Sequence, residues 1–195
     1  MAGPQPVLTY SYEAYLALEA ETQMRYEYYA GQVVAMAGGS RRHSLLATNF
    51  LIAIRRHVAS GCTIYGPDVK LEITKHHKYY YPDLSLTCHP DDQESAEKSS
   101  INHPVLVAEV LSDTTESIDR TAKFQTYIGL PSLQYYVMVS QHTAQVEVYA
   151  RQTHNFWYFH LYEGLEAVIE FPSLGFSITA AELYQGVTLD PVEAA

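Results

Sequence analysis

Three features of the sequence predict an α/β (α+β) fold with a mixed β-sheet flanked by helices. Residues 105–111 form a near-continuous apolar run, the pattern of a strand covered on both faces. Leu46, Phe50, Ala53, Ile54 and His57 recur at the spacing of one buried helix face, with Leu45, Asn49 and Ile52 flanking it. Strand candidates at 134–140, 145–150, 156–162 and 166–170 then follow one another across short polar turns, which predicts a C-terminal antiparallel meander. With no internal repeat and no linker, a single domain over 1–195 is expected, with 1–8 as a loose arm and 186–195 as a polar tail.

Hydrophobic residues make up 47% and charged residues 17%, a globular composition. No apolar run approaches the ~18–20 residues that span a bilayer, and the first residues lack the basic flank and apolar stretch of a secretory signal, so a cytoplasmic location is expected. The net charge of −10 argues against a protein that coats nucleic acid electrostatically, though not against an enzyme with a locally positive cleft. Cys62 and Cys88 form no C-x-x-C, so two reduced, partly buried thiols are expected. The 17 tyrosines read mostly as strand residues with a wet hydroxyl end.

In chain order, Thr9 or Ser11 caps a helix over roughly 11–21. Residues 26–29 and 32–36 form a hairpin around Gly31, broken by Gly38-Gly39-Ser40. The 46–57 helix starts at Ser40 or Ser44 and ends by Gly61, and its Arg55-Arg56-His57 cluster complements the helix dipole. Val69, Leu71 and Ile73 alternate with Lys70 and Glu72, which predicts a half-buried strand. Residues 75–78 read as a polar turn and 89–103 as a polar loop. A helix over about 118–129 stops at Gly129-Leu130-Pro131, and a short helix lies near 180–185.

The chemistry concentrates between Tyr79 and Lys123. Glu109 lies inside the apolar run, and Asp83 lies between Pro82 and Leu84-Ser85-Leu86. A carboxylate in such a setting must be paired, protonated or bound to a cation. Two of them on adjacent strands favour a hard cation such as Mg²⁺, which takes oxygen ligands. Lys123 lies in the first turn of the following helix, where it would either fold back over the strand end beside the acids or be a surface lysine paired with Asp119 at i,i+4. Asp68 and Asp113 sit at turn-like positions that explain them adequately. No H-x-x-x-H or H-E-x-x-H spacing occurs among the nine histidines, which disfavours a zinc hydrolase.

Several segments in order resemble the Uma2-type family of the PD-(D/E)XK nuclease superfamily. They are residues 26–34, His43 opening a helix, Pro82-Asp83-Leu84, residues 107–112, residues 119–127, and residues 129–136. The resemblance implies a restriction-endonuclease-like core and a metal-dependent endonuclease acting on nucleic acid, with DNA the expected substrate. It implies Asp83 and Glu109 as ligands of Mg²⁺ or Mn²⁺, helped by the backbone carbonyl of Val110. Glu27 would be an outer ligand or a partner of Lys123, and Lys123 a lysine displaced from the usual position, held here by Leu111. Tyr127 would support it one turn later, and His43 would contact a substrate phosphate. The alternative expectation is an inactive nuclease-fold protein used for binding or assembly, a homodimer through its C-terminal strands.

Overall fold

The computed structural model describes residues 9–29, 31–36, 38–73, 77–94 and 99–191. The expected arm at 1–8, half of the 75–78 turn, residues 95–98 of the 89–103 loop and the end of the tail lie outside those residues. The chain runs α1 (Tyr12–Thr22), β1 (Tyr26–Tyr29), β2 (Gln32–Ala35), α2 (Arg41–Arg55), β3 (Thr63–Tyr65), β4 (Lys70–Ile73), β5 (Lys78–Tyr80) and β6 (Leu84–Thr87). A 3₁₀ turn (Pro90–Asp92), β7 (Ser100–Ile101) and β8 (Pro104–Leu111) follow. Next come α3 (Glu116–Ile118), a π-turn (Asp119–Lys123), α4 (Phe124–Ile128), β9 (Tyr135–Ser140), β10 (Gln145–Thr153), β11 (Phe156–Glu163), β12 (Val168–Phe171), β13 (Phe176–Thr179) and α5 (Ala180–Leu183).

The strands form two main sheets rather than one. The larger has the order β11-β10-β9-β8-β6-β3, and the smaller β2-β1-β5-β4-β7. Both are mixed, because β8 and β9 pair in parallel, as do β4 and β7, while the other pairs are antiparallel. The meander has three strands, not four. β12 leaves it to form a separate hairpin with β13, since the residues around Gly164 turn the chain out of the sheet with a positive φ of 84°.

The central strand β8 obeys the period-2 rule on both faces. Leu106, Ala108 and Val110 meet Leu46, Phe50 and Ile54 of α2. Val107 and Leu111 meet Tyr127, Leu130, Leu133 and Tyr136 on the other side. Each fully buried aliphatic or aromatic side chain of this kind contributes about 1.5–3 kcal/mol relative to exposure. Helix α2 stops at Arg55, well before Gly61, so His57 stands outside the helix and is exposed, its ring against Phe176.

Two local expectations are overturned. Lys70 is buried rather than outward. Its ammonium pairs with Glu19 of α1 and sits 4.7 Å from the Tyr15 ring centroid, because α1 covers the strand face that alternation assigned to solvent. Cys62 and Cys88 form a disulfide instead of two thiols. Thr63 faces Thr87 across β3 and β6, so one step further along the antiparallel register puts the two cysteines opposite each other. The 89–103 loop is tied down by Asp92, which accepts from Thr87 Oγ1 at 2.7 Å and from the backbone N–H groups of Asn102 at 2.8 Å and His103 at 3.0 Å.

Candidate active site

Asp83 stands where the chain leaves the smaller sheet at β5 and enters the larger at β6. Pro82 before it has no N–H, so a break in the ladder there strands no donor. The Oδ2 atom of Asp83 accepts the backbone N–H of Val110 at 2.7 Å and lies 2.8 Å from His43 Nε2. His43 is in the first turn of α2, where its own N–H is capped by Ser40 Oγ at 3.0 Å. The preceding loop passes close by: a Cβ on Gly39 would lie 2.2 Å from His43 Nδ1, so glycine leaves room for the imidazole.

Glu109 projects from the C-terminal half of β8 on the face shared with Val107 and Leu111. Its Oε1 accepts from Tyr127 Oη at 2.9 Å and from Lys123 Nζ at 3.1 Å. Lys123 Nζ is also 2.9 Å from Glu27 Oε1 and 3.2 Å from Asp119 Oδ1. Glu27 comes from β1 of the smaller sheet, so the ammonium bridges the two sheets. The π-turn explains how Asp119 and Lys123 both reach inward. Phe124 N–H bonds to Asp119 O, which widens the turn between α3 and α4, a device common at functional sites.

Three carboxylates, from Glu27, Glu109 and Asp119, thus surround one ammonium, and Asp83 adds a further negative charge near Glu109. Burial raises Glu109 well above the carboxylate range. Lys123 opposes that shift, while Asp119, Asp83 and Glu27 add to it. Burial likewise raises Asp83, against the pull of His43 and the Val110 N–H. For Lys123, burial works against the charge, but Glu109, Glu27 and Asp119 outweigh it and raise its pKa well above the ordinary lysine value. Asp119 Oδ1 is buried without a hydrogen bond, its contact with Lys123 being electrostatic. The cluster is short of positive charge, with one ammonium against the four acids.

A cleft of about 410 Å³ exposes Glu27, His43, Asp83, Glu109, Val110 and Lys123 along one wall. A second cavity of about 360 Å³ adjoins it across His43 and Asp83 and reaches Arg25. The structure therefore brings together Asp83, Glu109, Lys123, Glu27, Val110 and His43. Tyr127 is fully buried behind Glu109 and does not line the cleft. Lys123 meets the strand acids and Asp119 together, but as a buried side chain rather than a surface lysine. Asp119 is the residue that the sequence reading treated only as a helix partner. Its signal was the four-residue spacing to Lys123 in a segment next to the Glu109 strand. Asp68 pairs with Arg25 at 2.7 Å and Asp113 with His142 at 2.9 Å.

The fold is a mixed α+β one in which acids from both sheets meet at one lysine. The family model described as "Uma2: Putative restriction endonuclease" matches residues 12–181, and the chain belongs to that family. It is 35% identical over 187 residues to the uncharacterized protein slr1290 of Synechocystis sp., covering 95% of this chain and 96% of that one. A second uncharacterized Synechocystis protein, sll1609, is 28% identical over 158 residues, covering 80% of this chain and 89% of that one. The fold is similar to the crystal structure of a "putative nuclease belonging to DUF820" from Anabaena variabilis. The TM-score is 0.72 at 16% identity, covering 90% of this chain and 98% of that one.

Proposed function

We propose that the chain is a metal-dependent endonuclease that hydrolyses phosphodiester bonds, with DNA as substrate and Mg²⁺ or Mn²⁺ as cofactor. The observation that carries this reading is the set of three carboxylates around a single buried ammonium, with Asp83 lining the same open cleft. The residues fit a hard divalent cation. The donors are all oxygen, the cluster carries excess negative charge, and both hydrogen bonds to Asp83 fall on Oδ2 and both to Glu109 on Oε1.

Asp83, Glu109 and the Val110 carbonyl would hold the ion, which would supply Lewis-acid stabilisation of charge on the phosphoryl group. The Val110 N–H and His43 would fix the rotamer of Asp83. Tyr127 and Lys123 would do the same for Glu109. Lys123 is held charged by three carboxylates, so it would stabilise negative charge or orient the attacking water rather than remove a proton. Glu27 and Asp119 would keep that ammonium in place. His43, at the cleft wall beside the start of α2, would contact a substrate phosphate.

A second reading, an inactive scaffold used for binding or assembly, is favoured by the same locked Lys123 together with Leu111 at the superfamily's usual lysine position. The exposed Phe156, Tyr158, Phe159 and Leu161 of edge strand β11 support a homodimer in either case. A cytoplasmic location belongs to the nuclease reading, although the Cys62–Cys88 bond is unusual in that compartment. The test is cleavage of plasmid, single-stranded DNA and RNA with Mg²⁺ or Mn²⁺, against Asp83→Asn and Glu109→Gln. The wild type should cut at least one substrate and both variants should fall to the level of a chelator control. A wild type no more active than the variants would reject the nuclease reading in favour of the scaffold.

A further inference from the structure

We propose that His89, Asp91 and His103 form a second, separate metal site, specific for a borderline transition-metal ion such as Zn²⁺, that staples together the two ends of the 89–103 loop. The cluster lies beyond the C-terminal end of β6 and just before the start of β8. Asp83 and Glu109 lie towards the opposite ends of those strands, so the two centres are independent.

One ring nitrogen from each histidine and one carboxylate oxygen of Asp91 lie within 4.8 Å of one another. In tetrahedral zinc sites, with metal–ligand distances of about 2.0–2.1 Å, ligand atoms are roughly 3.4 Å apart. The required contraction is of the order of 1 Å, within the reach of side-chain rotation at half-exposed positions. The two imidazoles are stacked at 4.0 Å with an interplanar angle of 19°, so metal binding has to splay them. His89 Nδ1 meanwhile accepts only a long bond, 3.3 Å from the Asp91 N–H, which ligation would replace.

The support behind His103 is already built. Asp92 is buried and fixed by Thr87, Asn102 and His103 N–H, and its Oδ1 lies 3.5 Å from His103 Nδ1. That nitrogen is buried and has no hydrogen bond. A carboxylate placed behind an imidazole is the arrangement that orients histidine ligands in metal sites, leaving the other ring nitrogen for the ion. Two imidazoles with one carboxylate select zinc, cobalt or nickel over magnesium or calcium. The chemistry that recognises this site therefore differs from that of the acidic cleft. The ion would close a loop whose two ends are already joined through Asp92, beside the Cys62–Cys88 bond.

The test uses the full chain, stripped with a chelator and titrated with Zn²⁺ by calorimetry and with Co²⁺ by absorbance. The variants are His89→Gln, His103→Gln and Asp91→Asn, the last at an exposed carboxylate that should leave folding untouched. Wild type should take up a zinc equivalent that each variant binds at least tenfold more weakly and that Asp83→Asn retains. Zinc should raise the unfolding midpoint of the wild type and leave that of His89→Gln unmoved. Zinc uptake of equal stoichiometry and affinity in wild type and Asp91→Asn, or no uptake by the wild type, would overturn the proposal.

Discussion

Val110 gives its backbone N–H to Asp83 Oδ2 at 2.7 Å. Asp83 itself lies in the short link between β5 and β6, so the strand that carries Glu109 also sets the direction of the second carboxylate. The two acids are thereby positioned as one unit, the condition for a geometry precise enough to hold an ion.

Lys123→Met should destabilise the protein by about 3–5 kcal/mol, because it leaves the buried Glu109 and Asp119 and the partly buried Glu27 without their shared cation. Glu109→Gln should change stability by no more than about 1 kcal/mol, since it removes one member of an acid-rich cluster while Lys123 keeps Glu27 and Asp119. Urea denaturation at pH 7 with a chelator present separates the two. Equal losses would mean that the cluster is not short of positive charge.

Tyr127→Phe removes the phenol that donates to Glu109 at 2.9 Å. The expected cost is about 1.5–3 kcal/mol, typical of a buried hydrogen bond to a charged group. Cation-dependent cleavage should fall less than in Glu109→Gln, because the ring still covers the carboxylate and Lys123 still bonds to it. The comparison is of initial rates at saturating cation.

His142 bridges Asp190, at 2.6 Å, and Asp113, at 2.9 Å, while Arg42 holds Asp190 from α2. The hydrogen bonds to those two carboxylates raise its pKa above the ordinary 6.5. The protonated form is the one favoured by folding. Its stabilising effect is thus complete below pH 6.5 and is lost as pH rises through the elevated value. Asp190 N–H bonds to His142 O, so hydrogen exchange at that amide should speed up over this range beyond its intrinsic pH dependence. In His142→Asn the excess should vanish.

The Cys62–Cys88 bond closes a chain separation of 26 residues. On a loop-entropy basis its removal should cost about 3 kcal/mol. Protein unfolded without reductant should show no free thiol to a thiol reagent, and the Cys62→Ser/Cys88→Ser double variant should unfold at lower denaturant. Two titratable thiols in the unreduced protein would contradict the pairing.

The acids were legible because each broke a local rule: Glu109 interrupts an apolar strand and Asp83 follows a proline at a strand start. Burial without an obvious partner is a signal that one segment carries by itself. Lys123 could be read only as a choice between two partners, and the structure gives it both. Lys70 was misread because alternation describes one sheet face and says nothing of a helix laid over the other. The disulfide was missed because it depends on β3 pairing with β6, a register that short strands leave open. His89 and His103 meet for a similar reason: the Asp92 hydrogen bonds that join the loop ends couple residues far apart in sequence, so no ligand spacing shows in the chain.

The parallel pairing of β8 with β9, which sets Glu109 beside Met138, carries a consequence for the order of synthesis. A chain made from its N-terminus exposes β8 without that neighbour until residues near 140 have been added. Lys123 and strand β9 both arrive after Glu27 of β1, Asp83 and Glu109 of β8. On the ribosome, the cluster of acids would exist before the group that neutralises it, so the site would be assembled late and the nascent chain would not carry it complete.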